Sequence, residues 1–135
     1  MGSRRDARRL AIDLLYQADV TGVEPMTVLV GRGSEDEVDP FARELVEGVA
    51  RRLEEIDATL GSHAEGWTVK RMPAVDRAIL RVGIFELTAR PDVPRGAAIS
   101  EAVLAAKELS TKDSGRFVNG VLGRLARELE APAEA

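Results

Sequence analysis

The chain has 135 residues, no cysteine and a formal net charge of −4, and 44% of its residues are hydrophobic. This length suits one folded domain, and the absence of cysteine excludes a disulfide framework, a thiolate metal site and a cysteine nucleophile. Since no apolar run approaches the roughly 18 residues of a membrane span, we expect a cytoplasmic protein without a membrane segment.

The first predicted helix begins after Ser3, which forms a capping box with Asp6, and it ends at about residue 20. Apolar residues recur at helical spacing and define its buried face. A helical wheel places four residues on the opposite side: Arg5, Arg8, Arg9 and Tyr16. This side is either solvated, with the tyrosine packed at its rim, or it binds nucleic acid, because guanidinium groups pair with phosphates and an aromatic ring stacks on a base.

The next predicted elements are a short helix or turn and a long helix. The short element covers residues 25–30 and is followed by a polar loop over residues 31–39. Asp39 and Pro40 then suit the cap and the first position of a helix of about 20 residues. Apolar residues at helical spacing continue this helix until Gly61.

The connection after the long helix contains the only histidine and the only tryptophan of the chain. His63 has no second candidate metal ligand nearby, so we interpret it as a loop residue. Trp67 precedes the next helix, where an amphipathic aromatic side chain usually seals the edge of a core. Neither residue indicates a metal or cofactor site, and we expect none.

The central element is a helix predicted over residues 73–90. Pro73 suits its first position, and apolar residues then cover most sides of the helix, which is typical of a helix buried by several neighbours. Gly83 costs about 1 kcal/mol relative to alanine inside a helix, so it indicates close approach by another helix. The sequence leaves open whether Arg81 and Glu86 pair inside the core or face a partner.

Two further helices are predicted, the first over residues 97–109 and the second from about Asp113 to residue 130. Asp113 or Ser114 is expected to cap the second helix. Phe117 lies off the apolar stripe, close to basic residues and to the helix start, and this combination suits single-stranded RNA. The same spacing also allows Phe117 to pack on a neighbouring helix. Asp113 would repel a phosphate unless it caps the helix or accepts a hydrogen bond from a base.

Charge is distributed unevenly along the chain. Residues 1–10 carry four arginines against one aspartate, and residues 66–127 carry eleven basic against six acidic residues. The segment between them, residues 33–65, carries three basic against ten acidic residues. Because charges are screened over about 8 Å at physiological salt, a basic face acts largely independently of distant acids. The net negative charge therefore does not exclude a nucleic-acid binder.

Four strings in the chain carry a resemblance to a known family: ARRLAIDLLYQ at residues 7–17, DRAILRVGIFEL at 76–87, VPRGAAISEAVLAAKELS at 93–110 and KDSGRFVNGVLG at 112–123. Over residues 4–127 the chain resembles the NusB family of transcription antitermination proteins. The resemblance implies an all-α fold, which we expect to contain about six to seven helices around a central buried helix. We expect one domain at residues 1–130 and a disordered tail at residues 131–135.

The resemblance also implies a function and a set of contact residues. Proteins of the family bind boxA RNA with the ribosomal protein NusE as partner, within an RNA polymerase antitermination complex. Carried over position by position, the family's RNA contacts match Arg4, Arg5, Arg8, Tyr16, Asp113, Arg116 and Phe117. We add Arg9 and Lys112 as phosphate contacts, and the NusE-facing surface matches Asp76 and Arg81. Asp6 lies inside the arginine cluster and is expected to weaken its pairing with phosphates.

Two other classes of function compete with this interpretation. The chain could be a protein-interaction scaffold or homodimer without sequence-specific RNA binding. It also resembles the amino-terminal module of some ribosomal RNA cytosine methyltransferases, but it has no cysteine nucleophile. It has no Gly-rich cofactor loop either, so we expect no catalytic residue and no enzymatic activity.

Overall fold

The computed structural model describes residues 3–33 and 37–131. Within these ranges the chain forms seven α-helices and one 3-10 turn, Val69–Arg71, which confirms the predicted all-α fold. The helices are α1 (Arg4–Thr21), α2 (Pro25–Arg32), α3 (Pro40–Arg51), α4 (Leu53–His63), α5 (Ala74–Ala89), α6 (Arg95–Leu109) and α7 (Lys112–Glu130).

Helix α5 lies at the centre of the fold, as its apolar coverage predicts. It packs against α1, α3, α4, α6 and α7, and ten of its 16 residues are buried. The close approach predicted at Gly83 comes from α7, because a Cβ added at Gly83 would lie 2.7 Å from a methyl group of Leu122. The helix with apolar residues on most sides is thus surrounded by other helices on most sides. Two of these helices, α1 and α7, contain most of the candidate site residues.

The long helix predicted from Pro40 to Gly61 is wrong, because the chain forms two helices there. Arg52 departs from helical geometry, with φ −111° and ψ 21°, and separates α3 from α4. Helix α3 packs mainly on α1, α2 and α5, whereas α4 packs on α5 and α7. The break allows α3 and α4 to pack against different helices. The sequence does not reveal this break, because the apolar spacing continues through it.

The predicted capping box of α1 is present, but the start of α7 differs from the prediction. Ser3 Oγ accepts a hydrogen bond from the Asp6 N–H at 3.1 Å, and Asp6 Oδ2 accepts one from the Ser3 N–H at 3.3 Å. At α7 the cap is Thr111, whose Oγ1 accepts from the Ser114 N–H at 3.1 Å. Asp113 therefore lies within the first helical turn, with its carboxylate free to meet solvent or a ligand.

Some predicted features lie at the edge of the described residues or outside them. The predicted loop over residues 31–39 is shorter, because Gly31 and Arg32 belong to α2, while residues 34–36 lie outside the described ranges. Of the expected tail, only Ala131 is described. In the described part of the chain, no helix combines the length and apolar character needed to cross a membrane.

Replacing Gly48 of α3 with alanine is expected to destabilise the fold by about 1–2 kcal/mol. The added Cβ would lie 2.2 Å from the Phe85 ring, and this overpacking outweighs the gain in helix propensity. Urea denaturation followed by circular dichroism measures the effect. Gly120→Ala in α7 is the matched control, since its Cβ meets no described atom within 4 Å and the change should not destabilise. Equal stability of the two variants would contradict the overpacking argument.

Candidate nucleic-acid interface

Three arginines in the first turns of α1, which are exposed or half-buried, are paired with acidic residues that follow α5 or belong to α6. The pairs are Arg4 with Asp92 at 3.4 Å, Arg5 with Glu101 at 2.9 Å and Arg9 with Glu108 at 2.7 Å. These ion pairs are at least partly open to solvent, so each holds its arginine only weakly. A phosphate can bind at these arginines by displacing a carboxylate, and the local charge is lower than the arginine count suggests.

Arg8 is buried, and the helical wheel that places it on the exposed side of α1 is wrong. Only 8% of Arg8 is exposed, because its guanidinium lies against Glu86 of α5, Glu101 of α6 and the Phe41 ring of α3. Its Nε donates to both carboxylate oxygens of Glu86, at 2.9 and 3.0 Å. Burial raises the pKa of Glu86, and the Arg8 charge opposes this shift. Arg8 cannot reach a phosphate without leaving Glu86 unpaired, and Glu86 pairs inside the core.

The two residues expected to face a protein partner are also engaged within the chain. Arg81 donates to both oxygens of Asp57, at 2.9 and 2.8 Å, and lies 3.6 Å from Asp19. Asp76 is 3% exposed, and its Oδ2 accepts a hydrogen bond from Ser114 Oγ at 2.9 Å. Asp76 is buried and the Arg81 side chain is only 13% exposed, so neither is freely presented to a partner.

Tyr16 and the start of α7 lie at the same end of α5. Helices α1 and α5 run antiparallel, since Arg77, near the start of α5, donates to Asp19 at 2.8 Å, near the end of α1. Asp76, next to Arg77, is bonded to Ser114 in the first turn of α7. Tyr16, which is 37% exposed, therefore lies toward the end of the molecule that contains the first turn of α7. The prediction that Tyr16 is exposed is confirmed.

Phe117 packs against a second aromatic residue that the sequence analysis did not include in the site. The rings of Phe117 and Trp67 are tilted by 59°, with their centroids 6.5 Å apart. Phe117 is half-buried against the core, whereas Trp67 is 47% exposed. The interpretation of Trp67 as the seal of a core edge is therefore incomplete. Only the tertiary structure brings the two rings together, so no local pattern in the sequence identifies Trp67.

The first turns of α7 present exposed cations beside this aromatic pair. Lys112 and Arg116 are exposed, and the nearest acid to Arg116 is the exposed Asp113, at 4.0 Å. No ion pair involves Lys112 among residues 3–33 and 37–131. Next to Phe117 a cleft of about 230 Å³ is lined by several basic residues, including Arg116, Arg124 and Arg127. Aromatic rings beside such cations are the combination that binds single-stranded nucleic acid.

His63 closes one side of this basic cleft, and its interpretation as a loop residue is wrong. It is the last residue of α4, and its Nε2 lies 2.7 Å from Glu128 Oε2 of α7. Its Nδ1 lies 2.7 Å from the carbonyl oxygen of Thr59. Both ring nitrogens thus contact protein acceptors, which ties α4 to α7. In the described part of the chain, no group of three or more metal-ligating side chains is found.

Known proteins match this chain over nearly its whole length. Residues 5–127 match the NusB family. The transcription antitermination protein NusB of Saccharopolyspora erythraea is 55% identical over 130 residues, which cover 93% of this chain and 88% of that protein. These matches include both the arginine-rich start of α1 and the first turns of α7.

Solved structures show the same fold. The structure of NusB from T. maritima has a TM-score of 0.86 at 32% identity, and the match covers 94% of this chain and 92% of that chain. A chain from a crystal structure of the antitermination factors NusB and NusE in complex with double-stranded RNA has a TM-score of 0.79 at 29% identity. That match covers 93% of this chain and 96% of the other.

Proposed function

The chain belongs to the NusB family of transcription antitermination proteins, and we propose that it binds boxA-type single-stranded RNA together with NusE. The observation that carries the RNA proposal is the aromatic pair of the exposed Trp67 and the half-buried Phe117 beside Lys112 and Arg116. Rings of this kind stack on unpaired bases, and the cations pair with the backbone that connects them. The similarity to a chain solved with NusE and double-stranded RNA supports NusE and RNA as partners, and the preference for a single strand rests on the aromatic pair.

The proposed contacts fall into three groups. Lys112 and Arg116 bind phosphates directly, since in the described part of the chain the only acid paired with either is the exposed Asp113, 4.0 Å from Arg116. Arg4, Arg5 and Arg9 bind phosphates after releasing their carboxylate partners, and this exchange lowers their contribution to the affinity. Tyr16 and Phe117 stack on bases, and Asp113 accepts a hydrogen bond from a base. Arg8 contributes only by holding α1 on Glu86 of α5.

We propose that NusE binds at the start of α5, where the residues that are buried position the surface without contacting NusE. Asp76 and Arg81 are buried or nearly so, and they fix the helices that surround this end of α5. An exposed neighbour such as Arg71 would then make a direct contact. We place the chain in the cytoplasm, as a non-enzymatic protein with one domain at residues 1–130. In this proposal it acts within an RNA polymerase antitermination complex. It forms a heterodimer with NusE or, without NusE, a homodimer.

Binding of a labelled boxA RNA and a scrambled RNA, with and without NusE, tests this proposal. Each RNA is measured as a single strand and as a hairpin at two salt concentrations, because phosphate contacts alone give binding that depends steeply on salt. Preference for single-stranded boxA that increases with NusE is expected. Equal binding to both sequences would reduce the site to a generic basic surface, and no RNA binding even with NusE would favour the scaffold. The internal pairing of Arg4, Arg5 and Arg9 favours the alternative function, a protein-interaction scaffold, because it leaves fewer cations for RNA.

The substitutions Lys112→Ala and Arg116→Ala are expected to weaken binding about equally for all RNA sequences, because these side chains contact phosphates. Each should reduce the slope of log affinity against log salt by about 1. Arg51→Ala on α3 is the matched control, since Arg51 is exposed on a helix that does not pack against α7. A salt slope that is unchanged in both α7 variants would remove these residues from the interface.

A further inference from the structure

A second cleft, of about 200 Å³, is also lined by Phe117. Trp67 and Phe117 line it together with Asp76, Thr111 and Asp113. Its aromatic side is the tilted ring pair, and its polar side combines the start of α5 with the first turn of α7. The cleft therefore joins apolar, planar surfaces to carboxylate oxygens within a volume that suits one nucleobase.

Asp76 is an unusual group in this cleft, because it is a buried carboxylate that is only half satisfied. Its Oδ2 accepts from Ser114 Oγ at 2.9 Å, whereas its Oδ1 is buried and has no hydrogen-bond partner in the described part of the chain. Leaving a buried acceptor unpaired costs free energy, so such atoms in native proteins call for an explanation. Since less than 1 Å² of Oδ1 is accessible, a ligand N–H that enters the cleft supplies the missing hydrogen bond after a small shift of the cleft wall.

The chemistry of the cleft selects the kind of ligand. Carboxylates in proteins read bases by accepting from amino groups such as N4 of cytosine, and aromatic side chains hold unpaired bases by stacking. Trp67 and Phe117 already contact each other, so a base cannot enter between them and would stack on the exposed face of Trp67. Asp113 at the rim repels phosphate, which directs the RNA backbone toward Lys112 and Arg116.

We propose that this cleft is a base-specificity pocket, in which one unpaired RNA base stacks on Trp67 and donates an amino N–H to Asp76 Oδ1. The inference rests on the proposed RNA-binding function. It adds that the protein recognises the amino group of one RNA base. It also adds a direct RNA contact to the positioning role of Asp76, whose Oδ2 stays bonded to Ser114.

A double-mutant cycle between the protein and the RNA tests the hydrogen bond. Each RNA position in turn loses its amino group, by replacing cytosine with uracil, adenine with purine, or guanine with hypoxanthine. At one position, wild-type affinity is expected to fall about 5- to 150-fold, the range for a specific base contact. In Asp76→Asn the Oδ1 position can be occupied by an amide N–H₂, which cannot accept a hydrogen bond, so the same replacement should change affinity less than twofold. Asp13→Asn, an exposed residue of α1, is the matched control and should behave as wild type.

Trp67 offers an independent readout, because it is the only tryptophan of the chain. Stacking of a base should quench its fluorescence when RNA is added, and the RNA that lacks the recognised amino group should quench it less at equal saturation. Circular dichroism and thermal melting of Asp76→Asn show whether the buried substitution preserves the fold. If the variant unfolds, the fluorescence of the wild-type chain still decides whether a base reaches Trp67.

The possible outcomes separate this inference from the proposed function. RNA binding with unchanged Trp67 emission at saturation, or with equal sensitivity of wild type and Asp76→Asn at every position, would overturn the pocket and leave RNA binding intact. Absence of RNA binding by the wild-type chain, with and without NusE, would overturn both.

Discussion

Replacing Arg8 with methionine is expected to lower the free energy of unfolding by about 3–5 kcal/mol at neutral pH. Methionine keeps most of the aliphatic volume but leaves Glu86, whose side chain is only 1% exposed, without the guanidinium that pairs with both its oxygens. An ionised carboxylate without a cation is poorly tolerated in a core. Urea denaturation of both proteins, followed by circular dichroism, measures the difference.

The Arg8→Met effect should shrink as the pH falls. Burial already raises the pKa of Glu86 in the folded chain, and removal of Arg8 raises it further, because the Arg8 charge lowers it. A folded pKa above the unfolded value means that stability is lost as the pH rises through the folded pKa and regained below the unfolded pKa. The difference between variant and wild type is therefore expected to be largest at neutral pH and smallest near pH 4.

Arg5→Met is the matched control for the buried pair. Arg5 lies on the same helix and also donates to a carboxylate, that of Glu101, but its side chain is largely exposed. Exposed ion pairs contribute little to stability, so this variant should unfold almost as wild type does. Adding Glu86→Gln to Arg8→Met should recover part of the loss, since it removes the uncompensated charge. An equal effect of the two arginine variants would show that Arg8 is not acting through Glu86.

Replacing Phe117 with alanine is expected to reduce RNA affinity about 5- to 150-fold, which corresponds to the roughly 1–3 kcal/mol of one base stacked on an aromatic ring. The structure adds a complication, because Phe117 also packs against the core and against Trp67. Alanine therefore removes a stacking surface and a packing contact together, and affinity must be compared with helicity and melting temperature.

Two conservative variants separate the stacking role of Phe117 from its packing role. Phe117→Leu retains apolar volume without a ring, so it is expected to fold and to lose most of the affinity that alanine loses. Phe117→Tyr retains the ring and should bind RNA nearly as wild type does. Wild-type affinity in a folded Phe117→Leu protein would assign Phe117 to the core alone, which is the alternative that its spacing in the sequence left open.

The local patterns of the sequence determined most of the helices. The Ser3 capping box, the apolar coverage of α5 and the exposure of Tyr16 were all predicted and all occur. Each depends on the 3.6-residue period or on hydrogen bonds between residues a few positions apart. Such patterns involve residues a few positions apart, so the sequence alone indicates them.

The tertiary structure alone decided which charges are used inside the fold and which remain for a ligand. Arg8 appears on the wheel as one more surface arginine, yet it pairs with Glu86, which is 78 positions away in the chain. Ser114 and Asp76 meet across 38 positions, and Trp67 reaches Phe117 across a similar distance in the chain. Helical periodicity indicates which side of a helix is apolar, but it does not indicate which other helices pack against each side. The covering helices provide the acids that neutralise the α1 arginines and the second aromatic ring of the candidate site, because packing brings distant residues into contact.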